Sequence, residues 1–341
     1  MTAARSEKIN LLFCCNSAYS QHLCVALISV LANNPGQQFD IAVVGRDAFG
    51  DEAEKIRRSL AQFSNFDLRF TVFQTPPELA LPIRIHYSTD IYTRLWVASF
   101  FPDDTARVLY LDSDLIAVGD IAPLWRADLG GKLLGAVDIP GSTRCPLLGI
   151  PEAAGYFNSG VLLFDLEQWR RTGAVDEVVR YVAENGDKLI DPDQDALNAC
   201  FFARRQSLPY IYNVITPFYF QYHDIGIGAA ELATIQRQAT IVHFNGASKP
   251  WHYMSRHPRA ADYCRYLRMS EWRDFVPGDK TPLNMVKKFV AGILPTRLLT
   301  ATLNLAHISS GIVRCLSDAT RVFNTTNDND TFIVTVRALI N

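Results

Sequence analysis

The chain has 341 residues, 48% of them hydrophobic and 20% charged, with 33 Lys and Arg against 35 Asp and Glu. That composition can bury one large core or two modest ones, and it excludes wholesale disorder. A net charge of −2 argues against a general nucleic-acid binder, and seven scattered cysteines with no C-x-x-C pair argue against a disulfide framework or structural zinc.

In chain order the sequence alternates strand and helix, the pattern of an α/β sheet with mainly parallel strands. Ile9 to Cys15 reads as a buried strand, and Tyr19 to Asn33 as a helix stopped by Asn34-Pro35-Gly36. Phe39 to Val44 is a second strand, Asp51 to Phe63 a polar-faced helix, and Leu68 to Phe73 a third strand. Ser88 is placed to cap a helix over Thr89 to Phe100. Arg107 to Leu111 is a fourth strand, and Leu133 to Val137 and Gly160 to Phe164 are further ones, with a Gly- and Pro-rich loop from Pro140 to Gly155 between them. Helices are expected over Leu166 to Arg171, Val175 to Asn185 and Gln194 to Phe201, and a last core strand over Ile241 to Phe244.

The character changes after residue 278, which divides the chain into a catalytic domain over 1–278 and a tail over 279–341. Lys280 to Arg321 carries six basic residues and one acid, with apolar residues at roughly helical spacing. Its longest charge-free stretch, Leu298 to Val313, has 16 residues, fewer than the roughly 20 that a spanning helix needs. Such a tail suits either peripheral contact with an anionic membrane through 280–321 or packing on protein. The cysteine usage fits a reducing cytoplasm, and Met1 to Ile9 has no apolar core of a signal peptide. The expected location is therefore the cytoplasm, with the inner membrane face as a place of attachment.

Four segments carry chemistry. Asp112-Ser113-Asp114 follows a buried strand, and strand alternation continued through it would put both carboxylates on one face. Two such charges about 4 Å apart repel by about 4 kcal/mol at an effective dielectric near 20. A divalent cation relieves that repulsion; without one, the pair reads equally well as a turn of solvated acids. His243 lies in an apolar strand and is followed by Gly246 and Lys249, an arrangement suited to a metal and a phosphate. Asn158-Ser159-Gly160 ends the Gly-rich loop, where the Asn amide can meet ligand hydroxyls. Asp191-Pro192-Asp193-Gln194-Asp195 has more acids than a helix cap requires.

The segments YLDSDLIAVGDIAPLW, YFNSGVLLFDLEQWR, DQDALN and HFNGASKPWH, in this order, resemble glycosyltransferase family 8 over roughly Ile9 to Trp251. That family includes bacterial lipopolysaccharide galactosyl- and glucosyltransferases and the glycogenins. The resemblance implies a GT-A fold and retaining transfer of a hexose from a UDP-sugar to a glycan or lipid-linked saccharide, with Mn²⁺ or, failing that, Mg²⁺. It implies Asp112, Asp114 and His243 as metal ligands, and Lys249 and the Gly246 backbone as diphosphate contacts. Tyr19 matches a uracil-stacking position, and Asn16 stands where the family commonly has a uracil-binding acid. Arg94 and His86 match positions lining the donor site, and Asp138, Asn158, Asp193 and Gln194 match positions around the transferred sugar. Ser113 and Ser159 go with the donor-binding residues, and Asn245 lies toward the acceptor, where a Cys can occur. Asp193 and Gln194 are the candidates for the group facing the anomeric carbon. Alternatives are a haloacid-dehalogenase-like phosphatase, which uses a strand-end Asp-x-Asp, or a non-catalytic sugar-nucleotide-binding protein.

Overall fold

The first half of the sheet follows from runs of apolar residues buried on both faces, as parallel strands require. β1 (Ile9–Cys14) is such a run. α1 (Ser20–Asn33) buries most of its length, and the Asn34 side chain closes its end by donating to Val30 O and accepting from Ile121 N. β2 (Phe39–Gly45) follows, then α2 (Asp51–Leu60), whose first-turn acids and last-turn arginines complement the helix dipole. β3 (Phe66–Val72) starts two residues earlier than the sequence suggests and forms an exposed edge. The computed structural model describes residues 8–76, 89–220 and 224–293. It divides into two units, Met1–Gly278 and Asp279–Asn341, which are described separately.

Thr89–Phe100 is wound as 3₁₀ helix with a kink at Trp96, not as the expected α-helix. Its buried residues Tyr92 and Leu95 are three apart, the spacing that stacks one face of a three-residue turn. β4 (Arg107–Leu111), β5 (Leu115–Ala117), the short α3 (Ala122–Trp125), β6 (Leu134–Asp138) and β7 (Phe157–Asp165) come next. α4 (Leu166–Arg171), α5 (Ala174–Asn185) and α6 (Pro192–Phe201) follow in succession. Then come β8 (Arg205–Ser207), β9 (Val214–Ile215), α7 (Ala229–Gln238), β10 (Ile241–His243) and α8 (Ala260–Leu267).

Among the described residues the main sheet has the order β3-β2-β1-β4-β7-β6-β8, with β5-β10-β9 as a second small sheet. β7 runs antiparallel to both of its neighbours, and the other pairings in the main sheet are parallel. One face packs on α1, α2 and α8, and the other on the 3₁₀ segment and α4 to α6, so the sheet has a core on each side. β5, β8 and β9 are two or three residues long and carry too little periodicity to be read from the sequence. In the second unit, α9 spans Pro282–Ile293, and the expected tail beyond it lies outside the described residues.

Candidate active site

The strand-end acids come together in a way that strand alternation does not explain. β4 ends at Leu111, as the sequence indicates, so Asp112-Ser113-Asp114 is a turn between β4 and β5 and the continued strand on which shared-face alternation depends is not there. The short β5 pairs antiparallel with β10 and sets Leu115 opposite His243. One ligand atom from each of Asp112, Asp114 and His243 then lies within 4.8 Å of the others. His243 Nε2 is 3.1 Å from Asp114 Oδ1 and 3.7 Å from Asp112 Oδ2. Lys249 Nζ donates to Asp114 Oδ2 at 2.5 Å and to Phe244 O at 2.9 Å. Burial alone would raise the Asp114 carboxyl, but Lys249 and His243 outweigh it and hold Asp114 well below the usual carboxylate range.

Asn158 and Ser159 lie inside β7 and not at a loop end, which is a second correction. The β6–β7 register shifts between Ala136 and Val137, so Asn158 pairs beside Val137 while Leu162 pairs beside Ala136. That bulge brings the Asn158-Ser159-Gly160 turn of the strand against Asp112, whose N–H donates to Gly160 O. Gly160 is required there, because a Cβ would lie 2.3 Å from His243 Cε1 and 2.7 Å from Asp112 Oδ2.

Arg94 joins the acids of the two motifs. Its guanidinium, almost wholly buried, pairs with Asp112 at 3.1 Å and Asp193 at 3.3 Å, donates to Ser159 O, and stacks over the Tyr110 ring. Tyr110 Oη donates to Asp112 Oδ1. Asp193 also accepts from Ser159 Oγ, and burial raises its carboxyl against the pull of Arg94. Gln194 Oε1 accepts from Asn158 Nδ2 at 2.9 Å and from Ser159 N at 3.0 Å, while its Nε2 donates to Tyr156 Oη. Asp195, fully buried, takes Tyr156 Oη, Arg144 and the N–H groups of Ile190 and Asp191.

The remaining expected residues are more dispersed. Tyr19 is 40% exposed in the β1–α1 turn, edge-on to Trp251, which stacks on His22 with ring centroids 3.6 Å apart. Asn16 opens the same turn, and Asp47 from the end of β2 holds it by accepting from Ser17 N and Oγ. The Asp138 carboxylate is engaged by Arg205 and Ser207 beside a cavity of about 280 Å³ lined by Gly141, Cys145, Glu152 and Tyr210. Asn245 Oδ1 accepts from Thr216 N and so ties two turns together. Gly246 has φ +85°, a left-handed value that a Cβ would strain, next to the Lys249 segment. Ser113 is buried between the two acids. His86 lies outside the described residues.

Sequence reasoning missed Asn213, Tyr156 and Asn198. Asn213 meets the site across a long chain separation and no spacing links it to a motif, whereas Tyr156 opens the YFNSG segment two residues before Asn158 and bonds Gln194 and Asp195. Asn198 stands inside the DQDALN segment and holds the start of β7 through Phe157 N and O, as a neighbouring strand would.

The sequence model described as "Glycosyl transferase family 8" matches residues 10–255. The chain is 24% identical over 275 residues to General stress protein A of Bacillus subtilis (strain 168), covering 79% of this chain and 96% of that protein. It is 26% identical over 287 residues to the lipopolysaccharide 1,2-glucosyltransferase of Escherichia coli (strain K12), covering 83% and 84%. The structure resembles that of the galactosyltransferase LgtC in complex with donor and acceptor sugar analogues, with a TM-score of 0.66 and 25% identity over 80% of this chain and 98% of that one. The α/β unit therefore has the GT-A fold, and the chain belongs to glycosyltransferase family 8.

Proposed function

We propose that this glycosyltransferase moves a hexose, glucose or galactose, from a UDP-sugar to a growing surface glycan of the lipopolysaccharide kind, with retention at the anomeric carbon. One observation carries the reading: Asp112, Asp114 and His243 direct acceptor atoms at one small volume. Two carboxylates and an imidazole converging on one volume suit a divalent cation of the Mn²⁺ or Mg²⁺ type. Bound there, such an ion would offset negative charge on the departing diphosphate.

The chain's own residues supply the rest of the reading. Lys249 is one bond from Asp114 and can share its ammonium with diphosphate oxygens, while Gly246 keeps the neighbouring backbone open to them. Tyr19 and Asn16 offer a ring face and an amide to the base. Arg94 keeps Asp112 and Asp193 apart in charge while holding both in place. Gln194 Oε1 already accepts two N–H groups, which suits a fixed wall of the sugar pocket better than a nucleophile. Asp193 is then the better candidate to face the anomeric centre. The phosphatase alternative leaves His243 and Lys249 without a task beside the Asp-x-Asp pair.

Release of UDP from UDP-Gal, UDP-Glc, UDP-GlcNAc and UDP-GalNAc, with and without Mn²⁺, tests the proposal. Turnover of one UDP-hexose that requires the ion supports it; turnover unaffected by a chelator overturns the metal reading.

For the second unit the proposal is peripheral contact with an anionic membrane, where a lipid-linked acceptor would reside. α9 carries Lys287 and Lys288 together with exposed Leu283 and Met285. Among the described residues no helix is long and apolar enough to cross a membrane. Truncation after Gly278 should release the protein from anionic liposomes and spare donor hydrolysis. Full-length protein that ignores such liposomes at low salt would end this part of the proposal.

A further inference from the structure

We infer that Asn213 is a positioning residue that holds the His243 imidazole with a proton on Nδ1, so that Nε2 is the nitrogen turned toward Asp112 and Asp114 and left to serve a metal ion. The inference rests on the reading of His243 as a metal ligand and adds the group that orients it.

The argument runs along a buried chain of hydrogen bonds whose direction is set by main-chain donors. Side-chain amides are ambiguous by themselves, since their oxygen and nitrogen exchange places on rotation. A backbone N–H can only donate. Ser159 N meets Gln194 at 3.0 Å, so the atom it meets is Oε1. Asn158 contacts that same oxygen at 2.9 Å and must therefore present Nδ2. Gly160 N independently meets the other Asn158 atom at 3.0 Å, which makes that atom Oδ1. Asn213 lies 2.8 Å from Asn158 Oδ1 and must donate through Nδ2. Its oxygen is left facing His243 Nδ1 at 3.0 Å, and that contact is a hydrogen bond only if Nδ1 carries the proton. At the far end the direction agrees: Gln194 Nε2 donates to Tyr156 Oη, which donates to the Asp195 carboxylate at 2.6 Å.

Asn213 is fully buried and His243 is 2% exposed, so water does not compete for these groups. Metal-binding imidazoles generally donate their second N–H to a fixed acceptor, which sets ring orientation and raises basicity. Here the acceptor is an amide whose orientation traces back to two peptide groups of β7. The same chain passes through Gln194, so the wall proposed for the sugar and the ligand proposed for the metal share one scaffold.

Nitrogen-15 NMR of the histidines tests the assignment directly in the metal-free and Mg²⁺-containing wild type, with His243→Gln used to identify the signal. The expected result is a protonated Nδ1 for His243; a bare Nδ1 overturns the inference without any Asn213 variant. Asn213→Leu removes the acceptor and should lose that signature and weaken Mn²⁺ binding by about 10- to 100-fold in calorimetric titration. Asn213→Asp keeps an acceptor toward His243 and should keep the Nδ1 proton where the Leu variant loses it, while its second oxygen, set against Asn158 Oδ1, should lower thermal stability. A folded Asn213→Leu protein with an unchanged signature and unchanged Mn²⁺ affinity would also overturn the inference. A wild type with a protonated Nδ1 that takes up no Mn²⁺ would keep the tautomer assignment and remove the metal reading instead.

Discussion

The two halves of the site are built on opposite principles. Around Asp112, Asp114 and His243, acceptor atoms face one another and the carboxylates are partly open, at 22% and 15% side-chain exposure. Around Asp193, Gln194 and Asn158, each side chain is less than a tenth exposed, the Gln194 and Asn158 amides are paired with protein, and Asp193 Oδ2 is held by Ser159 and Arg94. In the first region Arg94 and Lys249 each pair with one carboxylate, yet the carboxylate and imidazole atoms of the cluster still converge on one volume, which suits an incoming cation. The second is a buried, hydrogen-bonded scaffold, and its value lies in rigid placement. In the proposed reading, one half binds the ion and nucleotide and the other positions the sugar.

The comparison is broken most directly at the open half. Asp112→Asn or Asp114→Asn should abolish measurable transfer and remove Mn²⁺-dependent UDP binding, because each substitution deletes half of the negative charge offered by the pair. Near-wild-type turnover in either variant, measured with saturating Mn²⁺, would refute the assignment. Gly160→Ala is expected to rank next. Its Cβ would displace His243 and Asp112 together, so Mn²⁺ affinity and turnover should fall by about 10- to 100-fold while the circular dichroism spectrum is retained. An active alanine variant would show that the two ligands are freer to move than their packing implies.

Gln194→Ala sharpens the contrast from the closed half. It strands Ser159 N and Asn158 Nδ2, which should cost about 1–3 kcal/mol of stability for each buried group left unpaired, while Tyr156 Oη keeps its bond to Asp195. Turnover should drop far more than UDP affinity, since the half proposed to hold the nucleotide is untouched. A loss of UDP affinity with unchanged turnover would contradict the division.

The smallest expected effect is on pH dependence. Burial pushes His22 down to about 4, and burial with nearby Arg259 does the same for His257. In the unfolded chain both titrate near 6.5, so between about 6.5 and 4 the unfolded state binds protons that the folded state refuses. Stability should therefore be full above that window and decline as pH falls through it. Thermal melts of His257→Phe should show a shallower decline than wild type, and an identical slope would refute the account.

Much of the scaffold was legible because strongly apolar strands and punctuated helices announce themselves. β1, β2, β4, α1 and α4 to α6 fall where periodicity, Asn-Pro-Gly and the position of the acids put them. The 3₁₀ winding of Thr89–Phe100 was not legible, since Tyr92 and Leu95 at a spacing of three suit either helix. The short strands β5, β9 and β8 were also hidden, because two or three residues hold no period. That omission matters, as β5 is the element that carries the Asp-x-Asp turn to His243.

By itself the sequence determined the chemistry on offer: a carboxylate pair after a buried strand, an imidazole with a lysine six residues on, and an acid-rich helix start. Residue type and local order settle these, and they suffice to reveal family membership. Tertiary structure alone decided which atoms face each other. His243 reaches Asp114 across 129 positions, and Asn213 reaches Asn158 across 55, through strand pairing and a bulge that no local pattern encodes. Hydrogen-bond direction is decided there as well, because it depends on which peptide groups of β7 are left by that bulge to donate into the site.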